Sequence, residues 1–137
     1  MKRTEKYPDT DTFKYHNENP KNRITGDCTF RAIATATGKA WGDVVMEMAQ
    51  ISVKTGYAIN DKKGIEKYME SIGWVKHTQP RKVNGKKYTG KEFCKDFRPH
   101  QVVAVIGGGH VTCFMNGKAN DIWDCTDNCI GNYWTRF

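Results

Sequence analysis

Apolar residues recur at helical spacing through the first two thirds of the chain and give way to continuous or alternating runs in the last third. Behind Gly26-Asp27, the positions Phe30, Ile33, Ala34 and Thr37 share one helical face. Asp27 suits an N-cap and Gly38 a stop, which predicts a helix that opens at Cys28. Trp41, Val44, Val45, Met48 and Ala49 form a second stripe over about 40–52, and the tight Gly38-Lys39 connection makes the two a helical hairpin. Asn60-Asp61 can cap a third helix over about 62–71, with Ile65, Tyr68, Met69 and Ile72 inward and Gly73 as its stop. Residues 74–77 read as a short strand. Pro80 and Asn84-Gly85 make 78–88 a loop or minor hairpin. Thr89-Gly90-Lys91-Glu92 then reads as a capping box that opens a short helix through about Phe97.

Val102-Val103-Ala104-Val105-Ile106 is an unbroken apolar run, as expected of a strand buried on both faces, and Gly107-Gly108-Gly109 lets the chain turn sharply after it. Residues 110–115, the turn pair Asn116-Gly117 and residues 119–125 carry a strong hairpin signal. A further strand or turn through Ile130, Tyr133 and Trp134 closes the chain. Residues 1 to about 25 lack periodicity, with Tyr7, Phe13 and Tyr15 available to seat them on the body. Helices first and an antiparallel sheet second define an α+β class. The expected organisation is one domain over 1–137: an extended arm (1–21), a mainly helical half (27–97) and an antiparallel β half (101–137).

With 137 residues, 38% of them hydrophobic and 12% aromatic, the chain is long enough for one well-buried core. Its longest uncharged apolar run, 102–106, is far too short to span a bilayer, and the charged start Met1-Lys2-Arg3 has no apolar segment behind it. No membrane partner is expected, and the cytoplasm is the expected compartment. Five cysteines without a CxxC pair (28, 94, 113, 125 and 129) fit a reduced protein. Cys125, Cys129 and His110 match no standard zinc spacing, so neither a metal nor another cofactor is expected. The net charge of +7 is concentrated between Arg81 and Arg98, where Lys86 and Lys87 sit beside the turn. Such a stretch attracts anions and also serves as a solvated face; nucleic acid as a partner rests on charge alone.

Cys28 falls in the first turn of its predicted helix, where free N–H groups and the helix dipole favour a thiolate. A lone cysteine there is also a small buried hydrophobe, so a base must be found. His110 heads the hairpin. With a three-residue loop, Asn116-Gly117-Lys118, it faces Asp124 across the ladder, at a Cβ separation of about 4.5–5.5 Å that lets a carboxylate orient an imidazole. Asp121 has the wrong parity in that register. With a two-residue Asn116-Gly117 loop, Trp123 stands opposite His110 and Asp124 turns away.

The order of a Cys at a helix start, a His heading a hairpin and an Asp on its return strand resembles the papain-like cysteine peptidases, in particular the compact C39-like type. In that type Gln-x4-Asp-Cys opens the helix; here Asn22-x4-Asp27-Cys28 stands in its place. Asn19-Pro20-Lys21 ahead of Gly26-Asp27-Cys28, with Arg31-Ala32-Ile33 behind, also resembles small phage-encoded proteins. The likeness covers most of residues 19–126. It implies a papain-like fold with Cys28 as nucleophile, His110 as general base, Asp124 as the group orienting the imidazole, and an oxyanion hole from the Cys28 N–H and the Asn22 side-chain amide. Gly108, Gly109, Trp123, Lys86 and Lys87 are expected to contact substrate. The sequence departs from the family at Asn22, one methylene shorter than Gln, at Thr29 where Gly is common, and at Cys125 where Pro follows the Asp.

Two readings result. The first is a cysteine hydrolase, a peptidase, isopeptidase or amidase, cleaving a peptide or protein through a thioester on Cys28. The second is a catalytically silent binding protein of phage origin, acting in the host cytoplasm, that sequesters an anionic small molecule such as a nucleotide or blocks a host defence protein.

Overall fold

The four helices expected from apolar spacing and capping form, and a further short helix forms in the expected extended arm. A computed structural model describes all 137 residues. In chain order the elements are α1 (Arg3–Lys6), β1 (Phe13–Tyr15), α2 (Cys28–Thr37), α3 (Trp41–Thr55), α4 (Lys62–Ser71) and β2 (Val75–His77), followed by α5 (Gly90–Phe97), β3 (Val102–Ile106), β4 (His110–Met115), β5 (Lys118–Asp121) and β6 (Ile130–Thr135). Gly38 and Gly56 end α2 and α3 in left-handed geometry. Thr89 and Glu92 close a reciprocal capping box at α5. The protein is α+β, and none of its helices is long and apolar enough to cross a membrane.

One mixed sheet of six strands, ordered β1-β5-β4-β3-β6-β2, crosses the molecule. The four strands of the last third pair antiparallel, as expected. The two edge strands come from outside the last third of the chain. β1, from the presumed arm, pairs parallel with β5 and buries Phe13 completely; β2, from the helical half, pairs antiparallel with β6. β2 falls on the short strand read at 74–77, whereas the three residues of β1 contain too few alternations to register as a pattern, so that edge depends on a neighbour that arrives later in the chain.

Alternation along β3 and β4 divides the core between the two faces of the sheet. Val103, Val111 and Cys113 join Ile33, Val44, Met48, Ile65, Tyr68 and Met69 of the α2–α4 layer. Val102, Ala104, Ile106 and Phe114 join Phe13, Phe93 and Ile130 beneath α5. Each large apolar side chain buried in this way contributes on the order of 1.5–3 kcal/mol. β3 is therefore apolar at every position because both its faces are covered, which the continuous run 102–106 implied.

Two glycines are dictated by close approach. A Cβ on Gly90 would come within 2.8 Å of the Thr126 backbone, so α5 can begin against the 126 turn only with glycine there. A Cβ on Gly64 would meet the Ala58 carbonyl oxygen at 2.5 Å. Gly64 thus lets the segment before α4 fold back over the first turn of that helix, which matters for the site.

Candidate active site

Cys28 is the first residue of α2 and half-buried, and its thiol interacts with the His110 imidazole and the Val111 backbone N–H at the start of β4. Burial by itself pushes a thiol up, but the bonds to His110 and Val111 and the nearby imidazolium charge outweigh it and hold Cys28 below its ordinary value. His110 Nε2–H donates to Asp121 Oδ2 at 2.6 Å. Burial pulls His110 down; the bonds to Asp121, Cys125 and Cys28 outweigh it and push it up to about 11. Asp121 is 2% exposed, and although burial raises its carboxyl, His110 and Arg31 hold it below the usual carboxylate range. The two shifts, the imidazole up and the thiol down, both favour the charged forms of the pair. Trp123 covers the imidazole, its ring centroid 4.9 Å from that of His110.

The carboxylate that orients His110 is therefore Asp121, which corrects the expected Asp124. The hairpin turns on the two residues Asn116 and Gly117, with φ of 53° and 74°, and pairs Met115 with Lys118, Phe114 with Ala119 and Cys113 with Asn120. Continuing that register puts Asp121 opposite Thr112, on the face of the sheet that holds His110 two residues away. β5 ends at Asp121, well short of 125. Asp124 lies in the turn beyond it, where its Oδ1 accepts from the N–H and hydroxyl of Thr126. The signal for Asp121 is Asn116-Gly117 itself. Positive φ at both central residues is the type I′ requirement, and that turn closes a two-residue loop.

Asn22 is the second correction. It sits in a turn after Asn19, its N–H donating to the Asn19 carbonyl at 3.0 Å, with φ at 55°. Its Oδ1 accepts from Asn17 Nδ2 at 3.3 Å, and its side chain lines a depression shared with Lys2, Arg3 and Tyr15, apart from Cys28. The Asn22 amide thus does not face the thiol. Asp27 precedes α2 as expected but makes no side-chain cap. Its carboxylate accepts instead from Asn19 Nδ2 (2.9 Å), Trp41 Nε1 (3.0 Å) and Arg31 Nε (2.8 Å). The first N–H groups of α2 are left without a side-chain cap beside the thiol.

Arg31 is the residue that sequence reasoning missed. One turn along α2 and 5% exposed, it donates through Nε to Asp27 and through Nη1 to Asp121 Oδ1 at 2.9 Å. A single guanidinium fork joins the turn that presents the nucleophile to the carboxylate that orients the base. The signal available in the sequence is the i, i+4 pair of Asp27 and Arg31; its long-range half, across to Asp121, has none.

Cys28 opens onto a cavity of about 270 Å³. Gly26 and Thr29 flank the thiol, Ile65, Val105 and Val111 give an apolar floor, and Asn60 and Lys62 form a lip at the start of α4. Gly109 lines the cavity, whereas Gly108 stands exposed at the hairpin tip and Trp123 is set behind the imidazole. Lys86 and Lys87 do not reach it; they lie on a small hairpin closed by the Arg81–Lys87 bridge. All five cysteines are free. Cys125 is fully buried, its thiol 3.9 Å from Asp121 Oδ2, so His110, Asp121 and Cys125 offer three ligand atoms within 4.8 Å. Cys129 is exposed and lies outside that set. A cation entering there would have to displace the bond between His110 and Asp121, next to the Arg31 guanidinium.

Fold and site together define an α+β protein in which a half-buried cysteine, a histidine and a buried aspartate converge, the aspartate held by an arginine. Compared with protein-family models, with curated proteins and with solved structures, the chain gives no match.

Proposed function

We propose that this chain is a cysteine hydrolase of papain-like type that cleaves an amide bond, in a peptide or an isopeptide, through a thioester on Cys28. The observation that carries the reading is the convergence of Cys28, His110 and Asp121, with the imidazole bonded to the carboxylate at 2.6 Å and interacting with the Cys28 thiol. Nucleophile, base and orienting carboxylate arrive from α2, β4 and β5, an arrangement that fits acyl transfer.

The chemistry follows from the charges. The Cys28 thiolate attacks the carbonyl carbon, and the C–O π electrons move onto oxygen. The uncapped N–H groups at the start of α2 face that negative charge, taking the role expected of Asn22. Collapse of the tetrahedral species breaks the C–N bond, and His110 gives its proton to the departing amine. Water then adds to the thioester with His110 accepting its proton, and collapse of the second tetrahedral species breaks the C–S bond, releasing the acid and leaving the Cys28 thiolate beside the His110 imidazolium. Asp121 keeps the imidazole in one orientation and stabilises its charged form throughout.

The test is selective alkylation combined with turnover. Burial pushes the thiols of Cys94, Cys113 and Cys125 up, which leaves exposed Cys129 as the reference. Cys28 should react with iodoacetamide faster than Cys129 at pH 6, lose that advantage in His110→Ala, and support hydrolysis of a fluorogenic peptide library that Cys28→Ala abolishes. Equal labelling of the two thiols at pH 6 refutes the reading. A second reading, a ligand-sequestering protein that keeps the fold without turnover, draws on one observation: the Asn22 amide is turned away from the thiol. A reactive Cys28 without hydrolysis of any library member favours it.

A further inference from the structure

The cavity beside Cys28 is asymmetric in a way that Cys28, His110 and Asp121 do not use. Its floor is aliphatic, from Ile65, Val105 and Val111, and no carboxylate lines it. The one charged group on its wall is Lys62, which forms no ion pair, in contrast to Lys63 and Lys76, both paired with Glu66. Asp61, the nearest carboxylate in sequence, is turned to its own helix and accepts from the Lys63 N–H at 2.9 Å. Asn60, also on the wall, has its side-chain amide free of any protein partner. Gly64 holds this lip in place, since any Cβ there would push the Ala58 carbonyl away.

We infer that this lip selects the substrate: Ile65, Val105 and Val111 seat an aliphatic side chain next to the scissile amide, while Lys62 and Asn60 take a carboxylate beside it. This rests on Cys28 being the reactive centre. The Lys62 ammonium supplies donors only and the Asn60 NH2 adds two more, which suits an anionic oxygen pair, while the Lys62 charge disfavours a cationic neighbour. The position of the lip on a helix start, fixed by the contact between Gly64 and Ala58, makes it a preformed feature of the cavity. The carboxylate is that of an acidic side chain within a peptide or of a free C-terminus, and the two sources are separable.

The first experiment needs no turnover. Rates of Cys28 alkylation by anionic iodoacetate and neutral iodoacetamide are measured in the wild type, Lys62→Gln and Lys62→Glu, with Cys129 as internal reference. A unit charge near the rim of a solvated cavity should change the iodoacetate-to-iodoacetamide ratio about three- to tenfold per charge step, falling from wild type to Gln to Glu and shrinking in 1 M salt. The second uses four peptides that share one leucine: Leu-Glu against Leu-Gln internally, and a free against an amidated C-terminus. Preference for Leu-Glu assigns a side-chain carboxylate, preference for the free terminus a terminal one, and in either case Lys62→Gln should raise KM about tenfold with kcat little changed. A ratio that is the same in all three proteins overturns the inference, as does equal cleavage of charged and neutral partners. Cleavage of none of the four and of no member of the fluorogenic library, with the ratio still falling, removes the hydrolase reading and leaves the anion lip standing.

Discussion

Replacing Arg31 by Met removes a cation that touches two buried carboxylates. In the folded protein Arg31 Nε lies 2.8 Å from Asp27 and Nη1 2.9 Å from Asp121, and the Asp27, Arg31 and Asp121 side chains are each 7% exposed or less. Methionine fills much of the same volume, so the loss is electrostatic more than steric. Asp27 keeps its bonds from Asn19 and Trp41, and Asp121 keeps His110 and the Ile122 N–H. The partial compensation sets the expected cost at the lower end of the roughly 3–5 kcal/mol for breaking a buried pair. With a urea slope of about 1.5 kcal/mol per molar, a loss of about 3 kcal/mol lowers the unfolding midpoint by about 2 M. Because that is a large share of a typical stability of about 5–15 kcal/mol, Arg31→Lys is measured alongside; it keeps the charge but cannot fork to both carboxylates, and should fall between. The same variants should slow alkylation of Cys28 at pH 6, since Asp121 is then less firmly held against His110. An Arg31→Met protein within 1 kcal/mol of wild type, with Cys28 reactivity unchanged, would refute the bracing role.

Asp121→Asn should reduce the alkylation advantage of Cys28 at pH 6 at least tenfold while Asp124→Asn leaves it within about twofold, because only the former touches the imidazole. In a Cys28→Ser background, which removes the thiol's own titration, the stability difference between His110 and His110→Gln should be largest near pH 6. His110 is pushed up to about 11, so its contribution is full below the unfolded histidine value and should fade as pH rises from there toward about 11. Urea midpoints from pH 6 to 10 check this; a difference that grows with pH contradicts the assignment. Gly64→Ala puts a Cβ 2.5 Å from the Ala58 carbonyl oxygen and should cost about 1–3 kcal/mol in thermal or urea unfolding, while disturbing the iodoacetate preference at Cys28 more than Lys87→Gln does.

Local patterns carried what depends on near neighbours. The helix opening at Cys28, the stripes of α3 and α4, the capping box of α5 and the buried strand β3 all follow from spacing of a few residues, and His110 at the head of a hairpin follows from the glycine run and the Asn116-Gly117 turn. What the sequence did not decide was set by register and by contacts far apart in the chain. A one-residue change in the hairpin loop moves every side chain of the return strand to the other face, and that alone separates Asp121 from Asp124. Asn22 was lost to the site because Asn19 winds residues 19–23 into a turn held by the Asp27 carboxylate, a preference invisible to a motif read along the chain. The join from Arg31 to Asp121 spans 90 positions in sequence. The lip of Asn60 and Lys62 depends on how closely Gly64 lets one backbone lie on another. The sequence by itself determined that a primed cysteine and a histidine would exist; tertiary structure chose their carboxylate, their arginine brace and the cavity they face, because register and burial are properties of paired segments and not of single ones.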